Sequence, residues 1–190
     1  MLTAALLALA LAVPATAATT FSLDPAHSSV SFKVRHFVSK VPGQFTDFSA
    51  TIVRDDENLA NASVEFTIQA KSIDTGNDKR DEHLRSADFF DVAHHPVISF
   101  RSQKVEKVSD SLYRVTGPLT MRGVTKVVTL DVEFAGEIKD PWGGTRAGFS
   151  TSTKLDRREF NVLWNKALDT GGFMLSDEVE VAIELEAVKN

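Results

Sequence analysis

Alternation with a period of two runs through most of this chain, and no other feature restricts its fold as much. Over Ser28–His36, Val30, Phe32, Val34 and His36 share one face while Ser29, Ser31, Lys33 and Arg35 share the other. Successive side chains of a strand point to opposite sides of the sheet, so this pattern predicts a half-buried antiparallel strand with one wet face. The pattern recurs over Gln44–Val53, Ala62–Ala70, Val97–Val105, Tyr113–Met121, Val124–Phe134, Thr145–Leu155 and Val179–Ala187. Within the second segment Phe45 has the opposite parity to Phe48, Ala50 and Ile52, which predicts a bulge between them. Val41-Pro42-Gly43 and Arg122-Gly123 read as turns, Asp55–Asn58 as a solvated turn, and Lys139–Gly144 as a loop. Arg157–Gly172 is a long connection containing Phe160 and Trp164.

Eight such segments, mostly with short links and no crossover helices, give an antiparallel meander. A meander of this length splits into two packed layers or closes, and closure removes exposed edges. The expected fold is all-β with a short helical insertion: an eight-stranded antiparallel β-barrel. A membrane barrel would turn its apolar faces to lipid. The alternate faces here carry Lys33, Arg35, Glu65, Arg114, Asp131 and Glu133, and the last segment Glu178, Glu180, Glu184 and Glu186. Setting these in hydrocarbon is prohibitive. The charged face therefore meets water and the apolar face points inward.

That inward set mixes large residues (Phe32, Phe48, Phe66, Phe100, Leu119, Met121, Leu130, Phe134, Phe149) with small ones such as Ala50, Ala62, Gly117 and Ala147. Two outcomes fit: a solid core of interlocked large and small side chains, or an apolar cavity. A barrel of this size can be filled or can hold one small ligand. A cavity would favour long-chain ligands, because each buried methylene contributes about 0.8 kcal/mol.

Ser72–Phe100 interrupts the alternation. Thr75-Gly76-Asn77-Asp78 has the form of a capping box, with Thr75 at the N-cap and Asp78, Asp81 and Glu82 in the first turns. Ser86 is placed to cap a second short turn holding Phe89 and Phe90, and Pro96 starts the next extended run. Leu84, Phe89 and Phe90 must cover something.

At 190 residues and a net charge of −5, without a basic block, the chain offers nothing for a nucleic-acid partner. It has no cysteine, which excludes disulfides, thiolate metal sites and thiol nucleophiles. Residues 1–18 are uncharged and rich in Ala and Leu, and Ala15-Thr16-Ala17 has the small-x-small form of a signal-peptidase site. They lack the Lys or Arg that usually opens such a signal. The expectation is a signal peptide over 1–18, cleaved near Ala17 or Ala18, and one domain over 19–190. The apolar run is too short to span a membrane comfortably, and Pro14 breaks it, so the mature chain is expected to carry no transmembrane segment.

The chain resembles the YceI-like family, the polyisoprenoid-binding proteins of the bacterial periplasm. The resemblance rests on Asp24-Pro25-Ala26-His27-Ser28, Phe32-Lys33-Val34-Arg35-His36, Gly43-Gln44-Phe45, and above all Ser72-Ile73-Asp74-Thr75-Gly76-Asn77 with Arg80-Asp81-x-His83-Leu84 and Asp88-Phe89-Phe90-Asp91. Pro96-x-Ile98-x-Phe100, Gly117-x-Leu119-Thr120-x-Arg122-Gly123-Val124-Thr125 and Arg158-x-Phe160 add to it. It implies a lipocalin-like barrel, a periplasmic location, and a non-enzymatic carrier or scavenger of a long isoprenoid or similar amphiphilic lipid. The tail would lie in the barrel and the head group near the helical insertion. On that reading the ligand-contacting residues are Phe32, Val34, His36, Phe48, Leu84, Phe89, Phe90, Phe100, Leu119, Met121, Leu130, Phe149 and Trp164. A homodimer remains open. Asn161 stands where the family usually has Gly, and His94-His95 precede Pro96 where other residue types are common.

No catalytic residue, metal site or cofactor is expected. His83, His94 and His95 invite a metal reading with Asp81 or Glu82, but metal ligands should share a face: His83 and Glu82 do not, and His94 and His95 point to opposite sides if extended. The sequence has no Gly-x-Ser-x-Gly elbow, no His-Glu-x-x-His and no phosphate-binding glycine loop. Arg80-Asp81 and Arg157-Arg158-Glu159 read as structural ion pairs, and Trp142 and Trp164 as residues that plug or rim the barrel. The competing functions are an enzyme using the same cavity, with His36 or His83 as acid–base group, and an interaction module whose barrel is full.

Overall fold

The computed structural model describes residues 18–169 and 171–190, so the signal peptide expected over 1–18 lies, apart from Ala18, outside the described residues. The strands are β1 (Thr19–Leu23), β2 (Ser29–His36), β3 (Ser39–Phe45), β4 (Phe48–Arg54), β5 (Ser63–Gln69), β6 (Ile73–Asp74), β7 (Val97–Arg101), β8 (Lys104–Lys107), β9 (Leu112–Met121), β10 (Val124–Lys139), β11 (Thr145–Asp156) and β12 (Leu175–Lys189). Helix α1 (Asp78–Arg85) lies between β6 and β7. Among the described residues no helix is long and apolar enough to cross a membrane.

The pieces form a closed eight-stranded antiparallel barrel, as the alternation requires. Its first four long strands are each broken once, as β1/β2, β3/β4, β5/β6 and β7/β8. β2 pairs with β3 and β1 with β4; β4 then pairs with β5, β3 with β6, and β5 with β7. β7 and β8 both run along β9, and β9 through β12 follow as hairpins. β12 closes the ring on β2 and, at its far end, on β1.

Several local expectations need correction. β1 was too short to show as alternation, yet it completes the ring. Val41-Pro42-Gly43 is not a turn but the middle of β3, with Lys33 opposite Pro42. On its other side β3 pairs only at Gln44 and Phe45, so the missing proline N–H leaves no ladder bond unmade. Gly43 is required there because a Cβ would lie 2.3 Å from the Phe32 ring. The turn is instead Phe37-Val38, where Phe37 has φ 51° and donates its N–H to Met174 O at 2.9 Å. The parity switch between Phe45 and Phe48 is a full break rather than a bulge, and Gln69 N–H donates to Asp47 O across it at 2.9 Å. The segment Val97–Val105 also breaks, at Ser102-Gln103, where Arg101 O passes so close to Gly117 that a Cβ would sit 2.1 Å away. In the turn after β4, Asp55 is buried rather than solvated, and accepts from Glu57 N, Asn58 N and Asn61 Nδ2. Arg122-Gly123 is the expected tight turn, with φ 46° and 74°.

One end of the barrel is packed shut. Phe21, Ile52, Ala147, Phe149 and Ala187 form a cluster there, with Phe21 fully buried and edge-on to Phe149 at 6.0 Å. Outside it, Arg146 Nη1 donates to Asp24 Oδ2 at 2.7 Å and to Glu186 Oε1 at 2.5 Å, tying the link after β1 to β12. The Arg146 hydrogen bond, helped by His27, pulls the Asp24 carboxyl down to about 2. Trp142 plugs nothing: it stands exposed on the β10–β11 hairpin at this end.

Phe21→Ala is expected to cost about 3–5 kcal/mol in urea unfolding, because it empties a site with no room to collapse; a loss under about 1 kcal/mol would mean that β1 is dispensable. A carboxyl with a depressed folded-state pKa stabilises above its ordinary value and loses that contribution as pH falls through the folded value. Wild-type stability should therefore drop as pH is taken from 3.8 to about 2. Arg146→Met should flatten that limb of the curve, and parallel curves for the two proteins would contradict the Asp24 assignment.

Candidate ligand-binding cavity

The two halves of the inner wall are buried to different degrees. On β4, β5, β7 and β9, the inward residues Ala50, Phe66, Ile68, Ile98, Phe100 and Val115 are buried. On β10 the inward Val128, Leu130, Val132 and Phe134 are only partly buried, with exposed Thr129, Asp131 and Glu133 between them. Inward Val179, Val181, Ile183 and Leu185 of β12, and Phe32 and Val34 of β2, are also only half-buried. A solid core would bury both walls alike. Here the interior keeps a cavity of about 470 Å³ with an almost wholly apolar lining, bordered by buried residues such as Phe66, Ile98 and Phe100 on one side and by half-buried residues such as Phe32, Leu130 and Val181 on the other. That is within the range of small-molecule sites and overturns the filled-barrel alternative.

Of the residues expected to contact a ligand, Phe32, Val34, His36, Leu84, Phe89, Phe90, Phe100, Leu119, Met121, Leu130, Phe149 and Trp164 all border this cavity. Phe48 does not; its ring stacks on Phe66 at 6.2 Å, inside the packed wall. Leu84, Phe89 and Phe90 reach it from the insertion, which folds over the open end. The N-cap of α1 is Asn77, whose side chain accepts from Arg80 N at 3.1 Å, and not Thr75. Thr75 serves a different purpose. Its N–H and hydroxyl both donate to buried Asp81, at 3.0 and 2.5 Å, and its hydroxyl accepts from Arg80 Nε at 2.6 Å. Arg80 and Asp81 thus meet through Thr75 rather than as a direct ion pair. Phe90 lies edge-on to Phe45 at 5.8 Å, and Phe89 tilts against Trp164 at 5.1 Å.

Trp164 comes from the connection between β11 and β12, which forms the second lid. Arg157, 6% exposed, holds that lid down: Nη1 donates to Val162 O at 2.6 Å and Trp164 O at 2.9 Å, and Nε to Ser176 O at 2.9 Å. Burial pushes its guanidinium below the ordinary arginine value, and Asp177 at 3.5 Å opposes that shift. Sequence places Arg157 only in a charged run, but Thr153, Leu155 and Arg157 share the inward parity of β11, and that parity was the available signal. Arg158 is the exposed partner of Asp156 and Asp177, not of Glu159. Arg122 links the two lids, donating Nη2 to Ala87 O at 2.5 Å and Nη1 to Asn161 O.

The histidines do not converge. His83 Nε2 pairs with Asp88 at 2.7 Å, with its ring 5.0 Å from both Phe89 and Trp164. His94 Nδ1 pairs with Asp91 at 2.9 Å, and the His95 ring lies against Gly123. Among the described residues, the group with metal-ligand spacing is Asp24, His27 and Glu186 at the closed end, where Arg146 already spans both carboxylates.

A YceI-like domain model matches residues 21–187. The chain belongs to the YceI-like family. Protein YceI of Escherichia coli O6:H1 is 42% identical over 164 residues, covering 86% of this chain and 82% of that protein. BcnA of Burkholderia cenocepacia has the same barrel, with a TM-score of 0.76 at 28% identity over 86% of this chain and 98% of that one. A polyisoprenoid binding domain from Saccharophagus degradans, implicated in plant cell wall breakdown, shares the fold with a TM-score of 0.64 at 18% identity over 88% and 97%. Asn161, at the position where the resemblance implies Gly, sits at φ 60° and caps the turn after β11. Asn is among the residues that tolerate this left-handed conformation, so the departure leaves the lid's geometry intact.

Arg157→Gln removes the donors that satisfy the lid carbonyls and is expected to cost about 2–4 kcal/mol. Amide exchange at 162–164 should quicken, whereas Arg158→Gln should leave both quantities unchanged. Equal effects from the two substitutions would show that the lid is held by something other than the buried guanidinium.

Proposed function

We propose that this protein is an exported, non-enzymatic binding protein that holds a long-chain isoprenoid or similar amphiphilic lipid in the barrel, for transport, storage or scavenging. The half-exposed inner faces of β10, β12 and β2 carry this reading, since they line an apolar space of about 470 Å³ inside the barrel. Apolar surface left facing a void loses contacts that a flexible hydrocarbon chain restores. A prenyl chain suits such a lining because branched methyls meet bulky Phe and adaptable Met side chains. The Saccharophagus degradans domain of the same fold is described as polyisoprenoid-binding, which makes a prenyl chain the first occupant to test.

A binding role is favoured over catalysis by how the polar side chains at the cavity's edge are used. Arg157, Thr75 and Arg80 donate to lid backbone or to one another, and His83 is engaged by Asp88 and two aromatic rings. The export expectation rests on residues 1–18 of the sequence.

Organic extraction of the purified native protein, followed by mass spectrometry, should release a long-chain prenyl or comparable amphiphile. Leu130→Trp places an indole in the open half of the cavity and should cut the lipid recovered about tenfold with little cost in stability, because volume is added to a void and not to packed core. Lipid-free native protein, or equal recovery from the variant, would rule out the cavity as the binding site.

A further inference from the structure

The cavity reaches its open end at His36, Val41, Trp164 and Met174. Immediately outside these residues, large apolar side chains stand in solvent: Phe37 is 43% exposed, Val38 100%, Leu163 58% and Phe173 57%. They lie on two segments held together by the Phe37 N–H bond to Met174 O. Phe37 adopts φ 51°, a conformation that bulky residues avoid, so the hairpin tip carries strain to present this pair. Val162 and Trp164 line the cavity while Leu163 between them points away.

We propose that this rim seats the mouth of the barrel on a lipid bilayer. Its apolar tips enter the interfacial layer, and an amphiphile passes between membrane and cavity without crossing bulk water. The ligand half of this inference rests on the lipid-binding reading above; the docking half does not. Charge at the tips themselves is basic: residues 35–41 and 161–174 carry Arg35, Lys40 and Lys166 against Asp169 alone, although the insertion at the same end adds Asp78, Asp81, Glu82, Asp88 and Asp91 against Lys79, Arg80 and Arg85. Lys40 is paired with Glu180 at 2.6 Å and Arg35 donates to Phe37 O at 2.8 Å, so the anionic-lipid contribution is the lesser one and the apolar tips carry the docking. Side chains scattered over two loop tips do not make the contiguous patch of roughly 800 Å² per partner that a stable dimer needs. Aromatic and aliphatic tips beside basic residues are the composition that partitions into a membrane interface.

The test is vesicle partitioning of the intact chain on phosphatidylcholine with about one-fifth phosphatidylglycerol, read by co-sedimentation. Wild type should partition, and more weakly on pure phosphatidylcholine. Val38→Asp and Phe173→Asp should each reduce partitioning about tenfold, with unchanged circular dichroism because both side chains stand in water. Trp142→Ala serves as the control: it removes a residue 85% exposed at the opposite end and should change nothing. Leu130→Trp should dock like wild type yet carry about a tenth of the lipid, which separates failure of docking from failure of the cavity reading. The proposal is overturned if wild type does not partition, or if Trp142→Ala matters as much as Val38→Asp. It is equally overturned if Val38→Asp alters the solution mass of the protein while leaving vesicle binding intact, which would assign the rim to a second copy of the chain.

Discussion

The structure depends on a geometric mismatch between a ring of eight strands and the side chains available to fill it. Period-two alternation drives every apolar face inward, and closure denies those faces any other partner. Most inner residues of β4, β5, β7 and β9, among them Ala50, Phe66, Ile68, Ile98, Phe100 and Val115, meet one another and are buried. Those of β10, β12 and most of β2 pack against that cluster yet stay only partly buried, and the space left over is the cavity. The cavity is therefore a consequence of the same pattern that makes the fold.

The two ends handle the remaining backbone differently. At the closed end, sheet pairing between β1, β4 and β12 continues to the edge, and Phe21 seals the axis. At the open end the chain leaves the sheet twice, and those excursions carry carbonyls that no ladder satisfies. Arginines supply the missing donors: Arg85 to Lys71 O and Ile73 O, Arg122 to Ala87 O and Asn161 O, Arg157 to Val162 O, Trp164 O and Ser176 O. A planar guanidinium can serve several carbonyls at once, which suits it to pinning irregular chain over a mouth. The lids are thus held by polar contacts at their roots, while their apolar residues remain free to face the cavity.

Strand identity, inside-versus-outside assignment and the closed architecture were legible because each follows from parity, a property of neighbouring residues. Most of the cavity lining was legible for the same reason, and Phe89, Phe90 and Trp164 stood out as large apolar residues without a strand to belong to. Breaks within strands were not legible: Pro42 is accommodated because β3 lacks a partner on one side there, and Gly117 because Arg101 crosses above it. Both facts concern distant segments. Phe48 was assigned to the cavity by parity, but parity cannot say which inward residues find a neighbour such as Phe66 and which face a void. Thr75 has the capping-box sequence, yet buried Asp81 claims its donors, and Asn77 caps the helix instead.

The central claim is that the empty half of the barrel is complementary to hydrocarbon length. Trp164 borders the cavity and Trp142 does not, so a Trp142→Phe protein reports ligand through a single indole. Titrating it with a series of linear isoprenoid alcohols should show the dissociation constant falling severalfold with each added unit, at about 0.8 kcal/mol per buried methylene as an upper limit, until the space is full and the trend levels off. An affinity that does not change with chain length, or a Trp164 emission that does not respond, would contradict a hydrocarbon-holding barrel.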